Sequence, residues 1–109
     1  MAFKSKTVQS IGTSATQVSD TVSASTTHTI IGLSMANRTA SNITGSATVT
    51  KSGGSATYVV KDATIAQGGA LIAVGGDQKI VLEAGDIIEV TSDTASSIDT
   101  VISYLSSST

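Results

Sequence analysis

Apolar residues in this chain recur in short alternating runs, never in long blocks or helical stripes. Across residues 27–36, Thr29, Ile31, Leu33 and Met35 alternate with His28, Ile30, Gly32, Ser34 and Ala36. A period of two is the mark of a half-buried strand, and it predicts Ile31, Leu33 and Met35 on the core side. The same pattern returns at residues 43–50, where Ile43, Gly45, Ala47 and Val49 alternate with Thr44, Ser46, Thr48 and Thr50. Further strands are predicted at residues 55–61, with Tyr58 and Val60 opposite Thr57 and Val59, at 70–74, and at 100–105. A short strand or bend is expected at 62–66. Residues 37–42 and 91–97 read as polar connections, and residues 106–109 as a tail.

The stretch at residues 79–91 organises the rest. Two aliphatic runs, residues 80–82 and 87–90, flank Glu83-Ala84-Gly85-Asp86. Gly85 is free to take a positive φ, and Asp86 can accept hydrogen bonds from nearby backbone. A tight strand-turn-strand unit is expected, its second strand lying close to the first. Lys51-Ser52-Gly53-Gly54 predicts a glycine-rich hairpin turn, and Gln67-Gly68-Gly69 and Gly75-Gly76-Asp77 predict two more turns. No window carries a 3.6-residue period over a helical length. Eight or nine short strands separated by turns specify an all-β protein: a single β-sandwich of about eight antiparallel strands, jelly-roll-like or immunoglobulin-like.

The 109 residues suffice for one domain, 1–109, with one core. Aromatics make up 3% and there is no Trp, so Ile, Val, Leu and Ala must fill that core, and it should be thin. Residues 1–26 are poor in large apolar side chains. Val8, Ile11, Val18 and Val22 are the candidates for strands there. The segment reads either as a loosely held first strand or as an arm lying on a neighbour.

Charge changes the picture by its scarcity. Charged residues are 13% of the chain, about half the usual share, while 18 Ser and 17 Thr supply a polar, weakly charged surface. Six Lys and Arg against eight Asp and Glu do not suit neutralising a duplex, so nucleic acid is not expected as a partner. No run of about 18 apolar residues occurs to span a membrane as a helix. The basic start, Met1 to Lys6, lacks the apolar run of a signal peptide. Asn37-Arg38-Thr39 and Asn42-Ile43-Thr44 match the glycosylation sequon but are read as chance in so Ser/Thr-rich a chain.

Candidate chemistry is sparse. His28 is the one histidine, predicted on the outward face of its strand with no identifiable partner. Glu83, Asp86 and Glu89 cluster in sequence, but strand positions three apart face opposite ways, so Asp86 and Glu89 should not converge. Asp93 and Asp99 flank a loop without calcium-loop spacing. The glycine pairs at 53–54, 68–69 and 75–76 match no phosphate-binding motif. With no Cys, neither a disulfide nor a thiolate metal site is available. The expectation is no catalytic, metal or cofactor site, and hence no enzyme.

Residues 43–50 and 100–105 carry no charge, and no Pro guards any edge, which predicts self-association or docking on a lattice. The layout also resembles small β-sandwich virion proteins of tailed bacteriophages. Their pattern is a Thr-rich start, a strand like Thr29-Ile30-Ile31-Gly32-Leu33-Ser34-Met35-Ala36-Asn37, a Gly-Gly segment, and Leu-Glu-Ala-Gly-Asp between two strands. A closing strand like Val101-Ile102-Ser103-Tyr104-Leu105 follows, and the resemblance covers about residues 27–105. It implies a capsid decoration (cement) protein bound between major-capsid subunits, homo-oligomeric and arranged as a trimer. Such a protein would be made in the host cytoplasm and located in the virion. The alternative is a small tail, neck or fibre component, including a receptor- or glycan-binding module. The N-terminal segment and the closing strand are the first candidates for contact.

Overall fold

The structure, a computed structural model, describes residues 1–108. Nine strands follow in order: β1 (Ala2–Ile11), β2 (Thr16–Gln17), β3 (Thr26–Asn37), β4 (Ile43–Thr50) and β5 (Ala56–Ile65). Then come β6 (Ala70–Val74), β7 (Ile80–Leu82), β8 (Ile87–Ser92) and β9 (Ile98–Ser108). They form two antiparallel sheets. The five-stranded sheet runs β1-β9-β3-β6, with β7 also on β3, and the four-stranded sheet runs β2-β8-β4-β5. Taken as one strand broken at Gly75-Gly76, β6 and β7 complete the series β1 with β9, β2 with β8, β3 with β6/β7, β4 with β5. Strands paired from the two ends of the chain inward are a long hairpin rolled into a sandwich. Of the two expected topologies, this is the jelly roll.

Side chains from the two inner faces form an aliphatic core: Ile30, Leu33, Met35, Ile65, Leu82, Ile88, Val90, Ile98 and Ile102 are essentially solvent-free. Each such side chain contributes roughly 1.5–3 kcal/mol. Tyr104 is the one buried ring besides His28, and Phe3 and Tyr58 lie on the surface. The expected inward row of β4 is confirmed, since Ile43, Gly45 and Ala47 are buried. A Cβ at Gly45 would stand 2.9 Å from Met35 Cε, so glycine there lets the sheets approach.

The structure corrects several expectations. On β3 the pairing with β9 shifts between Ile30 and Gly32, a bulge that moves the alternation by one residue. His28 and Ile30 therefore point inward together with Leu33 and Met35, while Ile31 does not. Strands β7 and β8 do not pair: β7 lies on β3 and β8 on β4, so residues 83–86 turn a corner between the sheets. Residues 62–65 continue β5 through a kink at Asp62, whose φ is +48°. Residues 106–108 continue β9, with Ser106 opposite both Ala2 and His28; Thr109 lies outside the described residues. Residues 2–11 pair with β9 in the chain's own sheet.

The edges also differ from expectation. Uncharged β4 and the uncharged part of β9 are interior strands, flanked on both sides. On the edge strands, Lys4 and Lys6 of β1 share the inward register of Tyr104 and Ile102, and β5 carries Lys61 and Asp62. Inward lysines and kinks are how soluble sheets discourage edge pairing. The case for association thus moves away from the edges.

Candidate contact surface

The two outer faces of the sandwich are unlike. On the four-stranded sheet the outward row is Thr44, Ser46, Thr48 and Thr50 on β4, beside Ile87, Glu89 and Thr91 on β8 and Tyr58 on β5. Lys61 Nζ lies 5.3 Å from the Tyr58 ring centre. This surface is dominated by threonine and serine hydroxyls. Register places Phe3, Val101, Leu105, Ile72 and Val81 outward on the five-stranded sheet, among Ser5, Thr7, Thr29, Ser34 and Ser103. Phe3 is 77% exposed, Ile72 63%, Val81 55% and Val101 47%. Among the described residues of its strands, the charge on this outward row is Asp99 at one end, where Arg38 Nη1 donates to it at 3.1 Å. A shallow hollow of about 270 Å³ lies mid-face, floored by Gly32 and walled by Ser34, Ile72, Gly75, Val101 and Ser103.

A separate polar cleft of about 470 Å³ lies at the sandwich end where three turns meet. Ser25, Thr26, Thr27, Lys51, Ser52, Glu83, Ala84 and Asp86 line it. Gly85 takes a φ of +87° as expected, and a Cβ there would strike Ser52 Oγ at 2.7 Å. Asp86 is 1% exposed yet fully engaged. Its Oδ1 accepts from Ser52 N at 2.9 Å, and its Oδ2 from Glu83 N at 2.8 Å and from Lys51 Nζ. Lys51 Nζ also donates to Glu83 Oε1 at 2.9 Å. Burial is the largest influence on the Asp86 carboxyl and pushes its pKa up, but the bonds from Lys51 and the two amides outweigh it and hold it below its usual range. The same contacts, Asp86 first and Glu83 second, raise Lys51. This carboxylate is a clamp between turns, its lone pairs already directed at donors of the fold.

The remaining residues of interest are also structural. His28 is buried and packs on Tyr104 with ring centres 4.5 Å apart. Burial first, then nearby Lys4, lowers its pKa against the pull of Asp20. Its expected outward position is corrected by the bulge described above. Glu89 faces outward on β8, away from Asp86, as strand geometry predicts. Asp93 accepts from Thr44 N at 3.1 Å, and Asp99 from Ser10 N at 2.9 Å. Asn37 is buried, its amide donating to Ser41 O at 2.7 Å and Ile65 O at 3.0 Å, so the sequon side chain is committed within the fold. Gly53 and Gly68 take positive φ in their predicted turns. Among the described residues no group of three or more His, Asp or Glu is placed to hold a metal.

Ile72 and Val81 carried no weight in the sequence reading, because an isolated β-branched residue in a strand gives no sign of which way it points. Their register partners on β3, Ser34 and Thr29, supply it. Comparison with known protein families finds no matching family model, and no curated protein matches the sequence.

The buried groups predict an acid-sensitive fold. Unfolded histidine titrates near 6.5 and unfolded aspartate near 3.9. Both His28 and Asp86 have lowered values in the fold, so the unfolded chain binds protons first as pH falls. The histidine contribution is complete above about 6.5 and declines below it; the aspartate contribution declines below about 4. Scanning calorimetry should find Tm falling from pH 7 to pH 5 and again below pH 4. A flat Tm from pH 7 to pH 3 would contradict the clamp.

Proposed function

We propose that this chain is a structural protein of a tailed-phage virion, a decoration protein that binds between major-capsid subunits. It would be made in the host cytoplasm and incorporated as the particle assembles. The observation that carries the proposal is the outer face of the five-stranded sheet, where Phe3, Ile72, Val81 and Val101 stand exposed among hydroxyl side chains with little charge, unlike the threonine face behind it. Large apolar side chains gathered on one exposed face favour a place where a neighbour sits. Repeated on every copy around a lattice, weak contacts gain by multivalency. The resemblance in strands and turns adds the class of neighbour, other virion proteins. No catalytic role is assigned, because Asp86 is bound by the fold's own donors and His28 is packed on Tyr104.

The polar cleft favours a second reading, a glycan- or receptor-binding part of a tail, neck or fibre. The hydroxyls of Ser25, Thr26, Thr27 and Ser52 beside Lys51 and Glu83 are groups that bond sugars. Exposed rings, the usual stacking platform for sugars, are absent from its lining. The test is co-sedimentation of the purified protein with phage particles stripped of it, alongside a glycan array. The first reading expects saturable binding to heads at a fixed ratio to the major capsid protein. Binding to glycans and not to heads would reverse the order.

A further inference from the structure

We infer that the outer face of the five-stranded sheet is covered by a second copy of this chain, Phe3 of each copy seated in the hollow over Gly32 of the other. The inference rests on the reading of that face as a contact surface and names its occupant.

Three observations select a copy over an unrelated partner. First, one face holds both halves of a contact. Phe3 is the most exposed large side chain of the face, and the hollow over Gly32 is an apolar depression on that same face. The hollow is apolar and open. A cavity of roughly 150 Å³ accepts benzene, and this one measures about 270 Å³. Phe3 pairs with Leu105 on β9, whereas the hollow lies over Val101, Ser103 and β3. That is about three residues along and two strands across, roughly 14 Å at ordinary sheet spacings. A two-fold axis lying in the face midway between them brings each ring over the other copy's hollow, so the contact is made twice.

Second, charge permits it. A charged face meets its own charge across a two-fold axis, and like charges opposed across an interface are costly. Here the outward row ends in Asp99, already paired with Arg38, while Lys4 and Lys6 take the inward register. Third, the area fits a reversible pair. Four strands by about seven residues give roughly 450 Å² per copy and roughly 900 Å² in a pair, within the range of transient complexes. A face carrying both knob and hollow closes as a pair; a trimer would need two different faces meeting head to tail. The pair, with its end turns free, is then the unit offered to a lattice.

The hollow exists because residue 32 has no side chain. A Cβ there would find its nearest neighbour, Ser103 Cβ, at 4.0 Å, so a larger residue fills the hollow without striking the fold. Sedimentation equilibrium from about 1 µM to about 1 mM should show a monomer–dimer equilibrium with Kd on the order of 1–100 µM. Phe3→Lys and Gly32→Leu should each weaken it at least about tenfold, while Thr48→Lys on the opposite face leaves it unchanged. The chain has no Cys, which allows a second measurement that does not depend on those variants. Mixing Phe3→Cys with Ser34→Cys under oxidation should give the mixed disulfide faster than either variant forms its own. A wild-type monomer at 1 mM, a dimer indifferent to both Phe3→Lys and Gly32→Leu, or no preference for the mixed disulfide would overturn the inference. Head binding by a strictly monomeric protein would reject the pair and keep the decoration reading; a pair that ignores heads would do the reverse.

Discussion

Asp86→Ala should destabilise the protein by about 3 kcal/mol, well beyond the roughly 1 kcal/mol of an average substitution. Hydrogen bonds to a charged group contribute about 1.5–3 kcal/mol each. Alanine removes the acceptor of the Ser52 and Glu83 amides and the partner of Lys51 in one step. The clamp also joins parts remote in sequence: the β4–β5 turn, the β7–β8 corner, and the 18–25 loop, where Gly85 N donates to Val22 O at 2.9 Å. Asp86→Asn should cost somewhat less, since one oxygen remains but an NH₂ now meets a donor. Glu83→Ala should cost far less, because its pair with Lys51 is exposed. Urea titration reads all three as changes in midpoint at constant m-value. Equal costs for Asp86→Ala and Glu83→Ala would refute the clamp.

The second large effect separates two adjacent isoleucines. Ile30→Ala should cost about 3 kcal/mol, in the range for emptying a core position, and Ile31→Ala less than about 1 kcal/mol. Ile30 is solvent-free between the sheets, whereas Ile31 is half-buried on the outer face beside Phe3 and Ser103. Thermal or urea unfolding of the two variants measures the difference directly. The opposite ranking is what unbroken alternation through residues 27–36 predicts, so the pair tests the bulge.

That pair also shows where the sequence was legible. Alternation gave strands, faces and turns wherever the backbone kept its period: β4 faces the core through Ile43, Gly45 and Ala47, and Gly85 and Gly53 turn as their chemistry requires. It failed where one extra residue shifted the phase, at Ile31, and there it misplaced His28. It also failed where contact in three dimensions did the holding. The serines at 106–108 are strand because Thr26, Thr27 and His28 pair with them, with Ala2 on the other side of Ser106, and their own propensity gives little warning of it. Val18 is solvent-free outside any strand because its amide bonds Ile88 O at 2.9 Å.

The proposed contact face was half legible. Its two ends, the N-terminal segment and the closing strand, stood out as candidates from their composition. Ile72 and Val81 did not, because sheet membership sets which of their neighbours share a face. The edge argument drawn from uncharged strands did not survive, since β4 and β9 lie inside their sheets. Sandwich topology assigns edges by long-range pairing, here between the first strand and the last, and local sequence carries no mark of that.

A cryo-electron microscopy map of this protein bound to phage heads would test the account at its centre, by showing which side of the sandwich meets a neighbour. Ile72, Val81 and Val101 should be covered, by a second copy or a capsid subunit, with Thr48 and Tyr58 facing solvent. A molecule seated on its threonine side, with those three aliphatic side chains bare to water, would contradict it.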